Sequence, residues 1–278
     1  MTPDRVVFSG AGGGLLDRDT GSHEPARPAI AALARLGVPL VLCSSRPRRE
    51  IMLLWRLLGL GAPVIVESGA ALIVPEGHLR SGVPGGEWDG EFHVLRLGPR
   101  RETLREALLE VAAAARVEVR IPADPGREHS EPFLVETEGD AVALAREAAA
   151  RGLRVARGES GYHLCGGADK GLAVRTLLSL YERERRLPTA IALGAWPVDL
   201  PMLRAAHRPI VLPGPGGGVE PVLAAELRSA ERARGGGPEG WNDAVLTILA
   251  GRRLPTVSPE ARSGDDCPLV FEPGRRTA

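Results

Sequence analysis

A glycine-rich loop, two serines and a single lysine are the residues of this sequence best suited to handle an anion. Residues 10–14 read GAGGG, just after an apolar stretch that ends at Phe8. Ser44 and Ser45 follow a second apolar stretch, and Lys170 is the one lysine among 35 basic residues. Loop amides, hydroxyls and an ammonium group are donors that suit a phosphate or a carboxylate. The pattern predicts an anion cradle formed by the loop amides, Ser44 and Lys170.

Further polar residues are candidates for the rim of the same site. We expect the ligand to contact Gly10, Gly12, Gly13, Ser44, Ser45, Arg46, Glu67, Ser68, Arg127, His163 and Lys170. A different chemistry is also open to the sequence, because a desolvated lysine can be neutral near pH 7 and act on protons or as an amine. The residues that could serve such a metal-independent enzyme are Lys170, His163, His129 and Asp199.

Alternating apolar and amphipathic stretches predict the elements that position these residues. Strands at 6–8, 38–42 and 64–66 alternate with helices at 28–36 and 48–60, an order that implies a parallel sheet with right-handed crossovers. Residues 91–164 indicate a smaller α/β unit with strands at 93–97, 117–121, 133–136, 153–156 and 162–164. Ligands of such folds bind at the carboxyl ends of the parallel strands, here beneath the inserted unit.

The predicted fold class is α/β, with a doubly wound parallel-sheet core and an inserted, smaller α/β cap. The first part of the core spans residues 1–83, the cap 84–166 and the second part of the core 167–251. Residues 252–278 are rich in Pro, Arg, Ser and Gly, a composition that predicts a loosely structured C-terminal tail.

Four sequence landmarks in this order resemble the haloacid dehalogenase superfamily, and within it the mannosyl-3-phosphoglycerate phosphatases. In that superfamily the first strand ends in Asp-x-Asp-Gly-Thr, where the first Asp attacks phosphorus, the second is the acid/base and both help to hold magnesium. The corresponding stretch here is FSGAGGGLLD at 8–17. Gly10 therefore stands at the nucleophile position and Gly12 at the acid/base position.

The later landmarks also resemble this superfamily, and one of them has lost a further aspartate. Ser44 matches the family's phosphate-binding Ser or Thr, and Lys170 its phosphate-binding lysine. The motif Gly-Asp-x-x-Asn-Asp reads GAWPVD at 194–199, so Ala195 replaces a metal-binding Asp while Asp199 is kept. The stretches IVESG at 65–69 and GPEGW at 237–241 resemble the phosphoglycerate-sugar branch. The resemblance implies a Cof-type cap, no inherited catalytic aspartates and loss of magnesium binding, with no other cofactor expected.

Three functions are compatible with these residues. The first is a pseudophosphatase of this fold that binds a small phosphate- or carboxylate-bearing ligand without magnesium-dependent hydrolysis. The second is the repurposed, metal-independent enzyme built on Lys170 and the histidines. The third is a residual sugar-phosphate phosphatase of the mannosyl-3-phosphoglycerate phosphatase type, which rests on resemblance to the family.

The charge balance, the N-terminal sequence and the cysteines indicate which partners and which cellular compartment to expect. The 35 basic and 35 acidic residues give a formal charge of zero, so nucleic acid and anionic membranes are not expected partners. A small anionic ligand is expected, and a protein partner stays open. The N-terminus lacks a secretory leader pattern, and Cys43, Cys165 and Cys267 form no CxxC pair. We therefore expect reduced thiols and a cytoplasmic protein.

Overall fold

The chain folds around one large β-sheet, as described by a computed structural model for residues 4–124, 126–158, 161–214 and 216–257. The strands are β1 (Arg5–Gly10), β2 (Leu40–Cys43), β3 (Val64–Val66), β4 (Ala71–Pro75), β5 (Glu87–Trp88), β6 (Phe92–Arg96), β7 (Ser130–Phe133), β8 (Arg154–Gly158), β9 (Gly161–Cys165), β10 (Thr189–Gly194), β11 (Arg208–Val211) and β12 (Glu231–Arg232). The helices are α1 (Arg27–Arg35), α2 (Arg48–Leu57), α3 (Arg101–Ala115), α4 (Glu138–Ala150), α5 (Lys170–Arg183), α6 (Leu200–Ala205), α7 (Pro221–Glu226) and α8 (Gly237–Leu249). The large sheet has the order β12-β11-β10-β1-β2-β3-β4-β6-β5.

Strand β1 lies in the middle of the parallel part of this sheet, between β10 and β2. Its residues 6–10 are all buried, as expected for a parallel strand covered by helices on both faces. Ser9 lies opposite Leu193 of β10, and Gly10 lies opposite Cys43 of β2. The three strands therefore end at the same edge, and the loops that follow them meet there.

Helices cover both faces of the sheet. On one face, Ile51 of α2 and Trp241 of α8 belong to one buried apolar cluster. On the other face, Leu177 of α5 and Met202 of α6 belong to a second cluster. This arrangement confirms the predicted doubly wound α/β core.

A smaller α/β unit, called the cap below, lies between β6 and α5 in the chain. Its antiparallel sheet has the order β7-β9-β8, and α3 and α4 pack on it. Leu104, Phe133, Leu144 and Leu164 belong to its own buried cluster. The cap therefore has its own hydrophobic core, separate from the two clusters of the large sheet.

The sequence assigns the strand at 93–97 to the cap, and that assignment is wrong. The corresponding strand, β6, pairs antiparallel with β4, and β5 from the predicted linker pairs with β6. The large sheet thus continues to Arg96, past the predicted boundary at residue 83. Phe92 packs edge-on against Trp55 of α2, with ring centroids 5.8 Å apart. A strand with one apolar face fits either sheet, so its pattern alone could not choose between them.

Two other differences concern short segments. The predicted strand at 117–121 makes a single bridge, between Arg120 and Leu134, and is not a strand of the described cap sheet. Helix α7 and strand β12 were not predicted, because both are too short to produce a clear periodic pattern.

The first residues of the predicted tail pack on the core. Thr256 bridges Glu231, and the Val257 amide donates to the Ala230 carbonyl at 2.9 Å. Residues 258–278 lie outside the described residues, so the prediction for most of the tail concerns a segment beyond them. Among the helices of the described residues, none is long and apolar enough to cross a membrane.

Candidate functional site

A cavity of about 450 Å³ lies where the loops after β1, β2 and β10 meet the cap. Its lining residues are Gly10, Ala11, Gly12, Gly13, Asp17, Arg18, Gly21, Cys43, Ser44, Ser45, Arg46, Arg157, Gly158, Lys170, Trp196, Val198 and Asp199. Seven of the predicted ligand contacts are among them: Gly10, Gly12, Gly13, Ser44, Ser45, Arg46 and Lys170. The carboxyl edge of the parallel strands is thus the edge that carries the cavity, as expected for an open α/β sheet.

The glycine loop offers fewer free amides than its sequence implies. The Leu16 amide donates to the Ala11 carbonyl at 2.9 Å, and the Gly13 amide donates to the Leu16 carbonyl at 3.1 Å. Gly13 has a φ of +73°, and a Cβ atom there would lie 2.4 Å from Nε1 of Trp196. The Gly13 amide is therefore engaged within its own loop, and the residue is glycine because the indole fills the adjacent space.

Lys170 lies at the cavity as predicted, but its ammonium group already has a carboxylate partner. It begins α5, whose N-cap Asp169 accepts a hydrogen bond from the Leu172 amide at 2.7 Å. The Nζ atom of Lys170 donates to Oδ1 of Asp199 at 2.7 Å, and the two side chains are only 4% and 2% exposed. The charge of the lysine is therefore compensated inside the protein before any ligand binds.

Asp199 is fixed by more than this lysine. Its Oδ2 atom accepts hydrogen bonds from the backbone amides of Ala195 at 3.1 Å and of Trp196 at 3.2 Å. A Cβ atom built on Gly10 would lie 3.1 Å from both carboxylate oxygens of Asp199. The carboxylate thus occupies the space that a side chain at position 10 would enter.

The loop after β2 is also held by internal hydrogen bonds. The Ser44 hydroxyl accepts from the Arg46 amide at 3.0 Å, and the Ser45 carbonyl accepts from Nη1 of Arg127 at 3.0 Å. Burial raises the pKa of Cys43, the residue before this loop, to about 12. At neutral pH this thiol is therefore protonated and is not a nucleophile.

Two other side chains with oxygen atoms lie near the glycine loop. The Ser9 hydroxyl accepts from Nε1 of Trp241 at 2.9 Å and donates to the Gly10 carbonyl at 2.9 Å, so it is engaged away from the cavity. Asp17 lines the cavity and accepts from the hydroxyl and the amide of Thr20. The Thr20 hydroxyl is the main cause that lowers the pKa of Asp17.

Three of the other predicted contacts, Glu67, Ser68 and Arg127, lie at a cap–core junction that also includes His129, Ser130 and Arg154. Glu67, directly after β3, accepts from the amides of Glu128 at 2.8 Å and His129 at 3.1 Å, and from the Ser130 hydroxyl at 2.5 Å. Burial raises the pKa of Glu67, although these donors act against the shift. Glu67, Ser68 and Arg127 are not among the residues that line the cavity. They join the cap to the core.

The two histidines are buried and do not line the cavity. Burial, and then nearby arginines, lower the pKa of His129 to about 4. Burial, and then Arg127, lower the pKa of His163 to about 3. Both imidazoles are neutral at pH 7, and neither is among the residues that line the cavity. Of the four residues of the repurposed-enzyme hypothesis, the structure brings together Lys170 and Asp199.

The described side chains at the cavity do not form the oxygen set that magnesium needs. Magnesium takes near-octahedral oxygen ligands, usually with one or two carboxylates. Gly10, Gly12 and Ala195 have no side-chain oxygen, and Asp199 is bonded to Lys170 and two amides. Among the residues that the structure describes, no group of three or more His, Cys, Asp and Glu side chains could hold a metal ion. Of the family's metal-binding positions, Gly10, Gly12 and Ala195 thus offer no side-chain oxygen, and these positions do not fit magnesium.

Sequence reasoning missed Arg18, Trp196 and Arg157 as cavity residues. The guanidinium carbon of Arg18 lies 5.3 Å from the centroid of the Trp196 ring, and Arg157 reaches the cavity from β8 of the cap. A tryptophan inside the GAWPVD stretch was the available signal, because a large aromatic residue there must fill space beside the glycine loop. Arg18 and Arg157 gave no signal, since isolated arginines are common on protein surfaces.

Comparison with known proteins gives the family. No family model matches the chain. A glucosyl-3-phosphoglycerate/mannosyl-3-phosphoglycerate phosphatase of Methanococcoides burtonii is 30% identical over 266 residues, which cover 88% of this chain and 97% of the relative. Among solved structures, that of Thermoplasma acidophilum 0175 has a TM-score of 0.69 at 20% identity and covers 89% of this chain and 98% of its own. A haloacid dehalogenase-like hydrolase from Bacteroides thetaiotaomicron has a TM-score of 0.61 at 18% identity and covers 88% of this chain and 99% of its own.

The two solved structures show the shared fold, and the first relative shows the family. Its identity extends over both parts of the core and the cap, because nearly its whole length is covered. The chain therefore belongs to the glucosyl-3-phosphoglycerate/mannosyl-3-phosphoglycerate phosphatase family, and it shares its fold with a haloacid dehalogenase-like hydrolase.

Proposed function

We propose that the protein binds a small phosphate- or carboxylate-bearing ligand in this cavity and does not hydrolyse phosphate esters by a magnesium-dependent route. On this proposal Gly10, Gly12 and Ala195 stand where the family carries catalytic aspartates. The observation that carries the proposal is the state of Asp199, the carboxylate nearest Gly10. Its oxygens accept hydrogen bonds from Lys170 and from two backbone amides, which hold it as the partner of the lysine, while Gly10 and Gly12 beside it have no side-chain oxygen to attack phosphorus.

The missing chemistry is specific. Attack on a phosphomonoester needs a nucleophile, a cation that neutralises the transferring group and an acid for the leaving group. The positions of the family's nucleophile and acid/base are taken by Gly10 and Gly12, and the nearby Ser9 hydroxyl is hydrogen-bonded to Trp241 and to the Gly10 carbonyl. The family's nucleophile and its acid are therefore absent together from these two positions of the cavity.

The charge of the cavity favours an anionic ligand. Among its described lining residues, the basic side chains are Arg18, Arg46, Arg157 and Lys170, and the acidic ones are Asp17 and Asp199. Four positive groups face two negative groups, so the cavity has a positive excess. A cavity of about 450 Å³ also falls in the range of small-molecule sites.

Calorimetric titration and a phosphate-release assay test the proposal together. We expect 3-phosphoglycerate to bind with the same affinity in EDTA and in magnesium chloride, because the described oxygen donors do not fit the metal. We also expect no phosphate release from aryl or sugar phosphates above a buffer control. Hydrolysis that needs magnesium and disappears in EDTA would overturn the proposal.

A second candidate function is a sugar-phosphate phosphatase, which the family relationship favours. The Methanococcoides burtonii relative is named for activity on glucosyl- and mannosyl-3-phosphoglycerate. Ser44, Lys170 and Asp199 are all at the cavity of this chain. Phosphate release from mannosyl-3-phosphoglycerate at a rate comparable to that of this relative would support the second candidate.

A further inference from the structure

The cations of the cavity differ in the partners that the structure gives them. Lys170 is paired with Asp199 at 2.7 Å, with both side chains buried. Arg157 lies 3.4 Å from the carboxylate of Glu138 on the exposed surface of the cap. Arg18 pairs with no acidic side chain among the described residues; instead its guanidinium group lies over the Trp196 ring, 5.3 Å from the centroid.

Trp196 is held in position by the glycine loop. Its indole nitrogen lies 2.4 Å from where a Cβ atom of residue 13 would stand, so the ring fits only because Gly13 has no side chain. The backbone amide of Trp196 donates a hydrogen bond to the Asp199 carboxylate, which holds the main chain of this residue in place as well. The ring is therefore a firm surface on which Arg18 can stack.

A stacked guanidinium group is well prepared to bind an oxyanion. Contact with an aromatic face orients the planar group and leaves its N–H edge for a bidentate acceptor. Carboxylates and phosphates are the acceptors that match this geometry. The Arg18–Trp196 stack thus provides an oriented cation at the wall of the cavity.

The floor of the cavity, formed by Gly10, Lys170 and Asp199, is a less favourable place for the same anion. An anion beside Lys170 would also lie close to the Asp199 carboxylate, which is 2% exposed. Like charges repel strongly where water is excluded. Arg18 stands at the outer wall of the cavity and pairs with no carboxylate among the described residues.

We propose that Arg18, which lies over the Trp196 ring, binds an acidic group of the ligand, and that the rest of the ligand extends inward toward Gly10 and Ser44. The ligand class is a small organic oxyanion that carries a carboxylate or a phosphate. This inference rests on the proposed function, because it assigns the anion contact of that same cavity. It moves the main anion contact from Lys170 to a residue that the family motifs do not include.

Titration of the purified protein with 3-phosphoglycerate, followed by calorimetry and by tryptophan fluorescence, tests the assignment. We expect Arg18→Gln to weaken binding by about 10-fold to 100-fold, the range of a lost charge-assisted contact. Arg18→Lys should retain part of the affinity, since it keeps the charge but loses the planar group. The matched control is Arg35→Gln, which removes an exposed arginine of α1 that is not at the cavity.

The contribution of the ring is tested separately. Trp196→Phe keeps an aromatic face and should bind within a few-fold of the natural protein, on the order of a weakened cation–π contact. Trp196→Leu should bind more weakly than Trp196→Phe. Thermal unfolding of each variant checks that it is folded.

The outcomes separate this inference from the proposed function. If the natural protein and Arg18→Gln bind 3-phosphoglycerate equally well, the Arg18 assignment is wrong while the cavity proposal stands. An equal loss in Arg18→Gln and Arg35→Gln would also overturn it, because the effect would then be one of overall charge. If the natural protein binds neither 3-phosphoglycerate nor inorganic phosphate, the proposed function fails and this inference fails with it.

Discussion

The floor of the cavity and the cap–core junction are both buried and polar, but their polar groups are used differently. At the floor, formed by Gly10, Lys170 and Asp199, one ion pair is held by the backbone amides of Ala195 and Trp196, and Gly10 has no side chain. At the junction, side chains of one part bond to the other part: Glu67 of the core accepts from three groups of the cap, and Arg154 of the cap donates to the Ala168 carbonyl at 2.7 Å.

This difference shows how a polar residue near a cavity can be assigned. A side chain whose hydrogen bonds end on another part of the same chain holds those parts together, and ligand contact is not needed to explain it. By this criterion Glu67 and Arg127 are structural, whereas Arg18, which has no such bond among the described residues, is available to a ligand. The floor of the cavity has few side chains that could do chemistry, while the cap–core junction beside it keeps a network of side-chain hydrogen bonds.

The junction is also where buried polar atoms are left without partners. Among the described residues these atoms are Nδ1 and Nε2 of His129 and Nε of Arg154. Such groups cost free energy when they are kept from water. The junction therefore combines the hydrogen bonds of Glu67 with polar atoms that would be more stable in water. Because one of its unpartnered side chains is a histidine, we expect a fall in pH to destabilise the junction before the floor.

The largest effect is expected from breaking the ion pair of the floor. Lys170→Met should lower the free energy of unfolding by about 3 to 5 kcal/mol, because it leaves Asp199 buried without its cation. The double variant Lys170→Met/Asp199→Asn should recover part of this loss, since the asparagine oxygen can still accept from the amides. Urea unfolding measures both. A loss below about 1 kcal/mol in the single variant would show that the pair is not buried as described.

A smaller loss is expected from the junction. Glu67→Ala removes the acceptor of three cap groups and should lower the free energy of unfolding by about 2 to 3 kcal/mol. The matched control is Glu110→Ala, which removes an exposed glutamate of α3 and should change stability little. Equal effects of the two substitutions in urea unfolding would contradict the role assigned to Glu67.

The smallest effect is the response of the junction to acid. The folded protein lowers the pKa of His129 from 6.5 to about 4, so below pH 6.5 the unfolded chain binds a proton that the folded chain does not. Stability is therefore complete above that range and falls as the pH drops from 6.5 toward 4. We expect His129→Gln to reduce the loss between pH 6.5 and about pH 5 by about 1 to 2 kcal/mol.

Comparing the natural protein with His129→Gln at each pH isolates this residue. The carboxyl groups, including Glu67, are present in both proteins, so their contributions cancel in the difference. Identical pH profiles of the two proteins would show that His129 is hydrated in the folded state.

The core of the fold could be predicted from the sequence because its signals are local. Apolar runs such as the one around Val64–Val66 mark buried strands, and the order of the motifs places their carboxyl ends at one edge. That edge carries the cavity, with Gly10, Ser44 and Lys170 around it. The position of these residues follows from strand order alone.

Partner choice over long sequence distances could not be predicted in the same way. Lys170 and Asp199 are 29 residues apart, and Glu67 and Ser130 are 63 apart. The sequence does not distinguish a charged residue that binds a ligand from one that binds another part of the chain. The assignment of β6 to the large sheet failed for a similar reason, since its apolar face fits either sheet.

Phosphorus NMR of mannosyl-3-phosphoglycerate, with the protein and magnesium in one sample, tests the central claim most directly. Binding broadens the resonance of the ester, and hydrolysis produces a separate resonance of inorganic phosphate. We predict broadening that is the same in magnesium and in EDTA, with no inorganic phosphate. Growth of the phosphate resonance in magnesium, stopped by EDTA, would contradict the claim and would establish the chain as a working phosphatase of its family.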